Sequence, residues 1–207
     1  MLGKIKFTCS CRANLVNENV AKLLKKMGVV SVGLGLESGS ERVLKYLKGD
    51  STSVEQNRNA VNVFRKYGIA VNASFVIGSP DETKAEMMET YNFIKNNPLD
   101  LVDIYVLMPF PGTPVWDYAE QKGLVSDNMD WSSLTSDFDA DYGKAIIVSE
   151  LYNRGEIYQI YKKFQRLRFY TNLKNIWRSP FLVDLPRYIL KAANRKLLLA
   201  RGYFSGH

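Results

Sequence analysis

Short apolar runs alternate with amphipathic stretches along the chain, at a spacing of roughly 30–40 residues. Three of the runs, at 29–36, 69–77 and 101–108, consist mainly of apolar residues and glycine, and a shorter strand-like segment at 4–11 precedes them. Such runs are typical of parallel strands that are covered on both faces. Strands that alternate with helices predict an α/β fold with a parallel sheet.

Helix signals lie between these strands. The segment Thr52-Ser-Val-Glu55 has the pattern of a capping box and predicts a helix over 56–67. Further helices are predicted from about residue 41, where Ser38 or Ser40 can cap the start, and over 82–96 and 114–122. Glycines stand where these helices should end, at Gly28, Gly49, Gly68 and Gly123.

Each predicted strand has one apolar face and one small or polar face. In a barrel the outer face packs on helices and the inner face lines the interior. The polar faces should therefore converge on one cavity that contains Arg12, Glu37, Ser74 and Tyr105. Glu37 follows a buried strand directly, and a carboxylate in such a place needs a partner. The glycines beside it leave room for a ligand against the sheet.

Four motifs resemble those of the radical SAM superfamily, and they occur in the order and at the spacing of that family. They are Cys11-Arg-Ala-Asn14, Gly35-Leu-Glu-Ser-Gly-Ser40, Phe75-Val-Ile-Gly-Ser-Pro-Asp-Glu-Thr83 and Pro109-Phe-Pro-Gly-Thr113. The resemblance covers about residues 4–125. Within the superfamily the chain is most similar to the cobalamin-associated branch, which includes the anaerobic magnesium-protoporphyrin IX monomethyl ester oxidative cyclase and related methyltransferases.

The resemblance implies a (β/α) barrel that binds S-adenosylmethionine (SAM) at the strand ends. In the family such enzymes use a 4Fe–4S cluster to cleave SAM to a 5′-deoxyadenosyl radical, and cobalamin is a possible further cofactor. Arg12 would pair with Glu37 or contact the SAM carboxylate, and the Ile77-Gly78 backbone would approach the adenine. The implied SAM-binding residues are Arg12, Glu37, Ser38, Ser74, Ile77, Gly78 and Tyr105.

The cluster motif of the family is absent. A radical SAM enzyme needs a CxxxCxxC loop, whereas this chain has only Cys9 and Cys11, which share one strand face. We therefore expect a fragment of a radical SAM oxidoreductase or methyltransferase that is inactive alone and whose partner is the missing N-terminal part of the barrel. The alternative is a degenerate homologue that has never bound a cluster.

The chain divides into three expected segments. Residues 1–125 form the C-terminal half of a TIM-like barrel, 126–148 a linker or mouth loop, and 149–207 a basic tail with helices over 149–177 and 185–201. From residue 153 onward there are twelve basic and two acidic residues, so the tail carries +10 and the rest of the chain −3. A basic amphipathic tail can pack on the barrel, or dock on a membrane surface or an acidic partner. Nucleic acid is a less favoured partner.

Composition restricts the remaining possibilities. The only histidine is His207, which excludes a Ser-His-Asp triad or a histidine metal site within this chain. Two cysteines, no signal-peptide pattern and no membrane-length apolar run favour a cytoplasmic protein with reduced thiols. A small molecule is the expected substrate, and exposed sheet edges could cause self-association. Two rivals remain open: a non-catalytic half-barrel interaction module, and an ordinary barrel enzyme that uses Glu37 as an acid or base.

Overall fold

The computed structural model describes residues 5–175 and confirms the α/β prediction. In this part of the chain, four parallel strands form one sheet in the order β1-β2-β3-β4. The strands are β1 (Phe7–Cys11), β2 (Val29–Glu37), β3 (Ala70–Ile77) and β4 (Leu101–Val106). The helices are α1 (Glu18–Lys26), α2 (Glu41–Lys48), α3 (Val54–Lys66), α4 (Lys84–Asn96), α5 (Pro114–Gln121) and α6 (Arg154–Asn175). The helix predicted over 185–201 lies outside the described residues.

The two faces of the sheet are those that the alternation predicts. On β2 the side chains of Val32, Leu34 and Leu36 are buried in the main core, whereas Gly33 and Gly35 lie on the opposite face. Cys9 and Cys11 both pack against the same core as free thiols. Apolar burial on one face of the sheet therefore fixes the register, because a slip by one residue would reverse every side chain.

Two helices begin at residues other than those predicted, because their capping boxes lie elsewhere in the sequence. Helix α3 begins at Val54, two residues before the predicted start at 56, and its capping box is formed by Ser53 and Gln56 instead of Thr52 and Glu55. Helix α4 begins after Thr83, which forms a capping box with Glu86. The start at 82 predicted from sequence is thus two residues early. Glu82 lies before the helix, where its side chain makes a different contact.

The segment 126–148, predicted as a linker or mouth loop, packs partly against the core. Phe138 is only 2% exposed and belongs to the main core, where its ring meets Tyr161 edge-on at 5.3 Å between centroids. Trp131 stacks on Trp116 of α5 at 5.7 Å. Aromatic packing of this kind contributes beyond simple burial, so the segment joins α5 and α6 to the sheet.

Helix α6 begins later than predicted because Asn153 and Glu156 cap it reciprocally, each side chain accepting the other residue's backbone N–H. Its buried stripe contains Ile157, Tyr161 and Phe164. Phe169 lies outside this stripe and is 61% exposed, whereas Leu167 packs against the core. None of the helices within 5–175 has both the length and the hydropathy needed to cross a membrane.

Helix α6 lies along the free edge of β4. The side-chain amide of Asn172 accepts the Val102 N–H at 2.8 Å and donates to the Val102 carbonyl at 3.1 Å, and Arg168 donates to the same carbonyl at 3.2 Å. Asn175 donates to the Leu99 carbonyl at 2.9 Å. The expectation of two open edges is therefore wrong for β4, and among the described strands only β1 has an edge without a neighbour.

Candidate functional site

The polar faces of the strands meet in rows across the sheet. Gly35 is opposite Ser74, and Ser74 is opposite Asp103, in register across β2, β3 and β4. Tyr105 lies one row further toward the strand ends, opposite Val76. Ser74 and Tyr105 thus share one face of the sheet. The register pairs Glu37 with Phe75 after a shift, and its carboxylate lies near the same face because Oε1 is beside Gly35.

This face is an open surface within the described residues, not the closed cavity that the sequence analysis expected. Tyr105 is 39% exposed, and Thr8 and Ser10 on β1 are also exposed. Four strands curve around only part of a barrel, whose interior is enclosed when the remaining strands complete the circle. A ligand on this face would therefore contact the described strands from one side.

Glu37 ends β2 in an unusual backbone conformation. Its φ of 59° is the only positive value at a non-glycine residue in the described chain, and the pairing of β2 with β3 shifts between Gly35 and Glu37. Left-handed backbone at a non-glycine residue is uncommon and occurs often at functional sites. The partner that the carboxylate needs is Lys48, whose Nζ lies 3.5 Å from Oε1.

Arg12 does not form the predicted pair with Glu37. Its guanidinium donates instead to the Ser51 hydroxyl at 3.3 Å, next to the point where Asn14 donates to the Ser51 carbonyl at 2.8 Å. Ser51 belongs to the short turn after α2, so Arg12 supports the segment that carries Lys48. The pair with Glu37 is wrong because Lys48 occupies that position; a contact of Arg12 with the SAM carboxylate stays a prediction.

The Ser38 hydroxyl faces into the protein. Ser38 is fully buried, and its Oγ lies 3.0 Å from Thr90 Oγ1 of α4 and accepts the Ser40 N–H at 3.1 Å. The neighbouring Gly39 N–H donates to the same Thr90 oxygen, and a Cβ at Gly39 would lie 2.7 Å from Phe93 Cβ. The hydroxyl of Ser38 therefore anchors the turn to α4 and cannot also face a ligand, which corrects its predicted contact.

The end of β3 is held by a residue that the sequence analysis missed. Gly78 has φ 84°, and the N–H groups of Gly78 and Ser79 both donate to Glu82 Oε2, at 2.7 and 3.0 Å. Glu82 is fully buried, and burial raises the pKa of its carboxyl to about 7. Thr83 caps α4, so Glu82 takes no part in the cap. The acid four residues after the turn glycine was the available signal.

A second missed residue ties the ends of β2 and β3 together. Arg42 on α2 donates to Asp81 Oδ2 at 2.6 Å and to the Asp81 carbonyl at 2.9 Å, and it forms a two-point contact with Glu86. These hydrogen bonds lower the pKa of Glu86 to about 2. Arg42 lies in the first turn of α2, directly after the turn that follows Glu37. Its bonds to Asp81 therefore fix the Gly78–Thr83 turn relative to the turn after Glu37.

The residues present fit SAM better than they fit an iron–sulfur cluster. The polar face offers a half-buried carboxylate, Glu37, above Gly35, where any side chain would overlap Glu37 Oε1. The backbone of Ile77 and Gly78 lies at the adjacent strand end. By contrast, Cys9 and Cys11 pack on the opposite, core-facing side, and within 5–175 no three acidic, cysteine or histidine side chains form a metal-binding group. Residues 5–175 therefore provide no ligand set for the cluster.

Comparison with known families now supports the resemblance. Residues 1–94 match the model of the radical SAM superfamily. An uncharacterized methyltransferase of Pyrococcus horikoshii is 37% identical over 132 residues, which are 64% of this chain and 28% of that protein. The anaerobic magnesium-protoporphyrin IX monomethyl ester cyclase of Rubrivivax gelatinosus is 25% identical over 189 residues, 91% of this chain and 32% of that protein. The chain thus spans about a third or less of the curated relatives it matches.

A solved structure shares the fold. The radical SAM methyltransferase TsrM of Kitasatospora setae, whose structure contains cobalamin and a 4Fe–4S cluster, superposes with a TM-score of 0.54 at 22% identity. The match covers 60% of this chain and 23% of that one. The parallel sheet of four strands is thus the partial barrel that the motifs predicted. Residues 1–94, which carry β1 to β3 and the Glu37 and Gly78 turns, are thus similar to the radical SAM superfamily.

Proposed function

We propose that this chain forms the SAM-binding part of a radical SAM enzyme, an oxidoreductase or a methyltransferase that acts on a small molecule. The observation that carries the proposal is the placement of Glu37 and the Ile77–Gly78 backbone at the ends of adjacent parallel strands. Ligands of α/β proteins bind at that edge. When bound together with a reduced cluster, SAM supplies the 5′-deoxyadenosyl radical that abstracts hydrogen from the substrate.

The proposed contacts follow from the positions of the side chains. Glu37 accepts hydrogen bonds from the polar part of SAM, and the Ile77–Gly78 backbone lies against the adenine. Ser74 and Tyr105 line the floor of the same face, in two adjacent rows of the sheet. Arg12, exposed at the end of β1, remains available to the SAM carboxylate.

The cluster ligands must come from elsewhere, because the chain has only two cysteines and both face the core. We propose that the polypeptide carrying the CxxxCxxC loop adds its strands at the open β1 edge. Cobalamin, present in the TsrM structure, is proposed only for the complete enzyme, and no residue here is assigned to it. Reduced Cys9 and Cys11 agree with the cytoplasmic location that we propose.

The proposal predicts that the chain binds SAM without cleaving it. In a ¹⁵N-correlation NMR titration with SAM, the amide resonances of Gly35, Glu37 and Gly78 should shift. Glu37→Gln should weaken binding by about tenfold or more, since a hydrogen bond to a charged group contributes about 1.5–3 kcal/mol. No methionine or 5′-deoxyadenosine should form under reducing conditions.

The matched control is Glu55→Gln on α3, where the side chain is 75% exposed and paired only with Arg58. This variant should bind SAM as the wild type does. Shifts confined to the helix side of the sheet, or equal binding by Glu37→Gln and wild type, would remove the basis of the proposed site. SAM cleavage by the chain alone would contradict the division of roles between this chain and a cluster-bearing part.

A second candidate function is docking on an anionic surface through α6. The solvent side of its second half carries three cations and three apolar side chains and no acid: Lys163, Arg166, Phe169, Tyr170, Leu173 and Lys174. Helices of this composition lie on anionic membranes with their apolar side chains among the lipid headgroups.

Docking predicts salt-sensitive binding to lipid. The chain should sediment with vesicles containing phosphatidylserine at low salt and stay in the supernatant at about 0.5 M salt, where charges are screened beyond about 4 Å. Pure phosphatidylcholine vesicles are the control. The double variant Phe169→Ser, Tyr170→Ser should lose most of the binding, and unchanged sedimentation of that variant would contradict a docked α6.

A further inference from the structure

Three separate features place a carboxylate above the floor of the sheet at the end of β2. The left-handed backbone of Glu37 turns its side chain back along the strand. The shift in pairing with β3 falls at the same point, between Gly35 and Glu37. Gly35 has no Cβ, and any Cβ there would overlap Glu37 Oε1. The carboxylate therefore lies over Gly35, on the polar face of the sheet.

Lys48 reaches this carboxylate from the last residue of α2. Its Nζ donates to the Gly35 carbonyl at 2.6 Å and lies 3.5 Å from Glu37 Oε1. The side chains of Lys48 and Glu37 are 24% and 23% exposed, so the pair is shielded from water much more than the ion pair of the other lysine of this helix, Lys45 with Asp50, at 68% and 82%. Shielding strengthens the attraction between the charges.

The backbone that carries Lys48 is itself held in place. Ser51 Oγ donates to the Lys48 carbonyl at 2.9 Å and accepts from Arg12 at 3.3 Å. Asn14 donates to the Ser51 carbonyl. The end of β1 thus supports the turn from which Lys48 projects. Arg12 is connected to Glu37 indirectly, through Ser51 and Lys48.

We propose that Lys48 is a positioning residue: it holds the Glu37 carboxylate over Gly35, with Oε1 engaged and Oε2 directed to a ligand. Among the described residues, neither a hydrogen bond nor an ion pair is found at Oε2. The carbonyl contact matters as much as the charge, since it fixes the ammonium at one point of the strand. The link to SAM rests on the function proposed above; the placement of Glu37 by Lys48 does not.

The first experiment needs no ligand. In Lys48→Met the NMR amide resonances of Gly35 and Glu37 should shift strongly, whereas in Lys45→Met, the matched control on the same helix, they should stay in place. Lys48→Arg should restore most of the wild-type positions because it keeps a donor and a charge. Unshifted Gly35 and Glu37 resonances in Lys48→Met would overturn the proposal, whatever SAM does.

The second experiment is a double-mutant cycle with SAM as the ligand. Lys48→Met should weaken SAM binding about fivefold in the wild-type chain and leave it unchanged in a Glu37→Gln background, because Lys48 acts through Glu37. An equal loss in both backgrounds would overturn the proposal and mark Lys48 as a direct contact or a folding residue. If wild-type chain binds no SAM while the ligand-free resonances behave as expected, the proposed function fails and the placement of Glu37 by Lys48 stands.

Discussion

Replacement of Phe164 by alanine is expected to lower the free energy of unfolding by about 3–5 kcal/mol. Phe164 is fully buried on α6, and its ring meets Tyr91 of α4 edge-on, with 5.5 Å between centroids. Truncation removes the aromatic contact and leaves a cavity between α4 and α6 that backbone hydrogen bonds prevent from collapsing. Because α6 is also hydrogen-bonded to the edge of β4, loosening of α6 should destabilise the sheet as well.

Urea unfolding followed by circular dichroism measures this change. The matched control is Phe169→Ala on the same helix, where a 61% exposed ring should contribute about 0.5 kcal/mol or less. If Phe164→Ala and Phe169→Ala were equally stable, α6 would not be docked on the sheet as described. A smaller urea dependence in Phe164→Ala would indicate that α6 has detached, since less surface would then be exposed on unfolding.

Glu82 is expected to make the chain less stable as the pH rises. Burial raises the pKa of its carboxyl from 4.5 to about 7, so between these values the folded chain holds a proton that the unfolded chain releases. Stability is then fully present below about pH 4.5, falls as the pH rises toward about 7, and is constant above it. The total loss is about 3 kcal/mol, at about 1.4 kcal/mol for each pKa unit.

The comparison that isolates this group is wild type against Glu82→Gln. Glutamine keeps an oxygen to accept the Gly78 and Ser79 N–H groups and has no proton to lose, so its stability should change much less over the same range. Urea unfolding of both proteins from about pH 4.5 to about pH 8 gives the difference, in which the other carboxyl groups cancel. Parallel stability profiles for the two proteins would show that Glu82 does not titrate in this window.

The strands and their faces could be predicted because burial of one face imposes a two-residue period of apolar and polar residues, which the sequence shows directly. Leu34 and Gly35 differ in burial only through this alternation. The cap of α3 was misassigned by one residue because Thr52 and Ser53 are both good caps, and the choice depends on which partner lies three residues ahead, Glu55 or Gln56.

The site was predictable as a set of strand ends but not as a set of contacts. Arg42 meets Glu86 across 44 positions, and Lys48 meets the Gly35 carbonyl across 13. Long side chains contact such partners only after the helices and strands have packed together, so no local sequence pattern predicts which partner they bind. The prediction that Glu37 needed a partner was correct, but choosing Lys48 over Arg12 requires knowing where α2 ends.

Asn172 has a further consequence for how this sheet can grow. Its side-chain amide meets the Val102 backbone as a peptide group of a neighbouring strand would, yet it projects from a helix whose own backbone groups are bonded within the helix. A strand that paired with Val102 would have to displace Asn172 and Arg168 of α6, whereas no strand lies beside the outer edge of β1 within residues 5–175. Of the two edges of this sheet, β1 is therefore the one that accepts a further strand without rearrangement of α6.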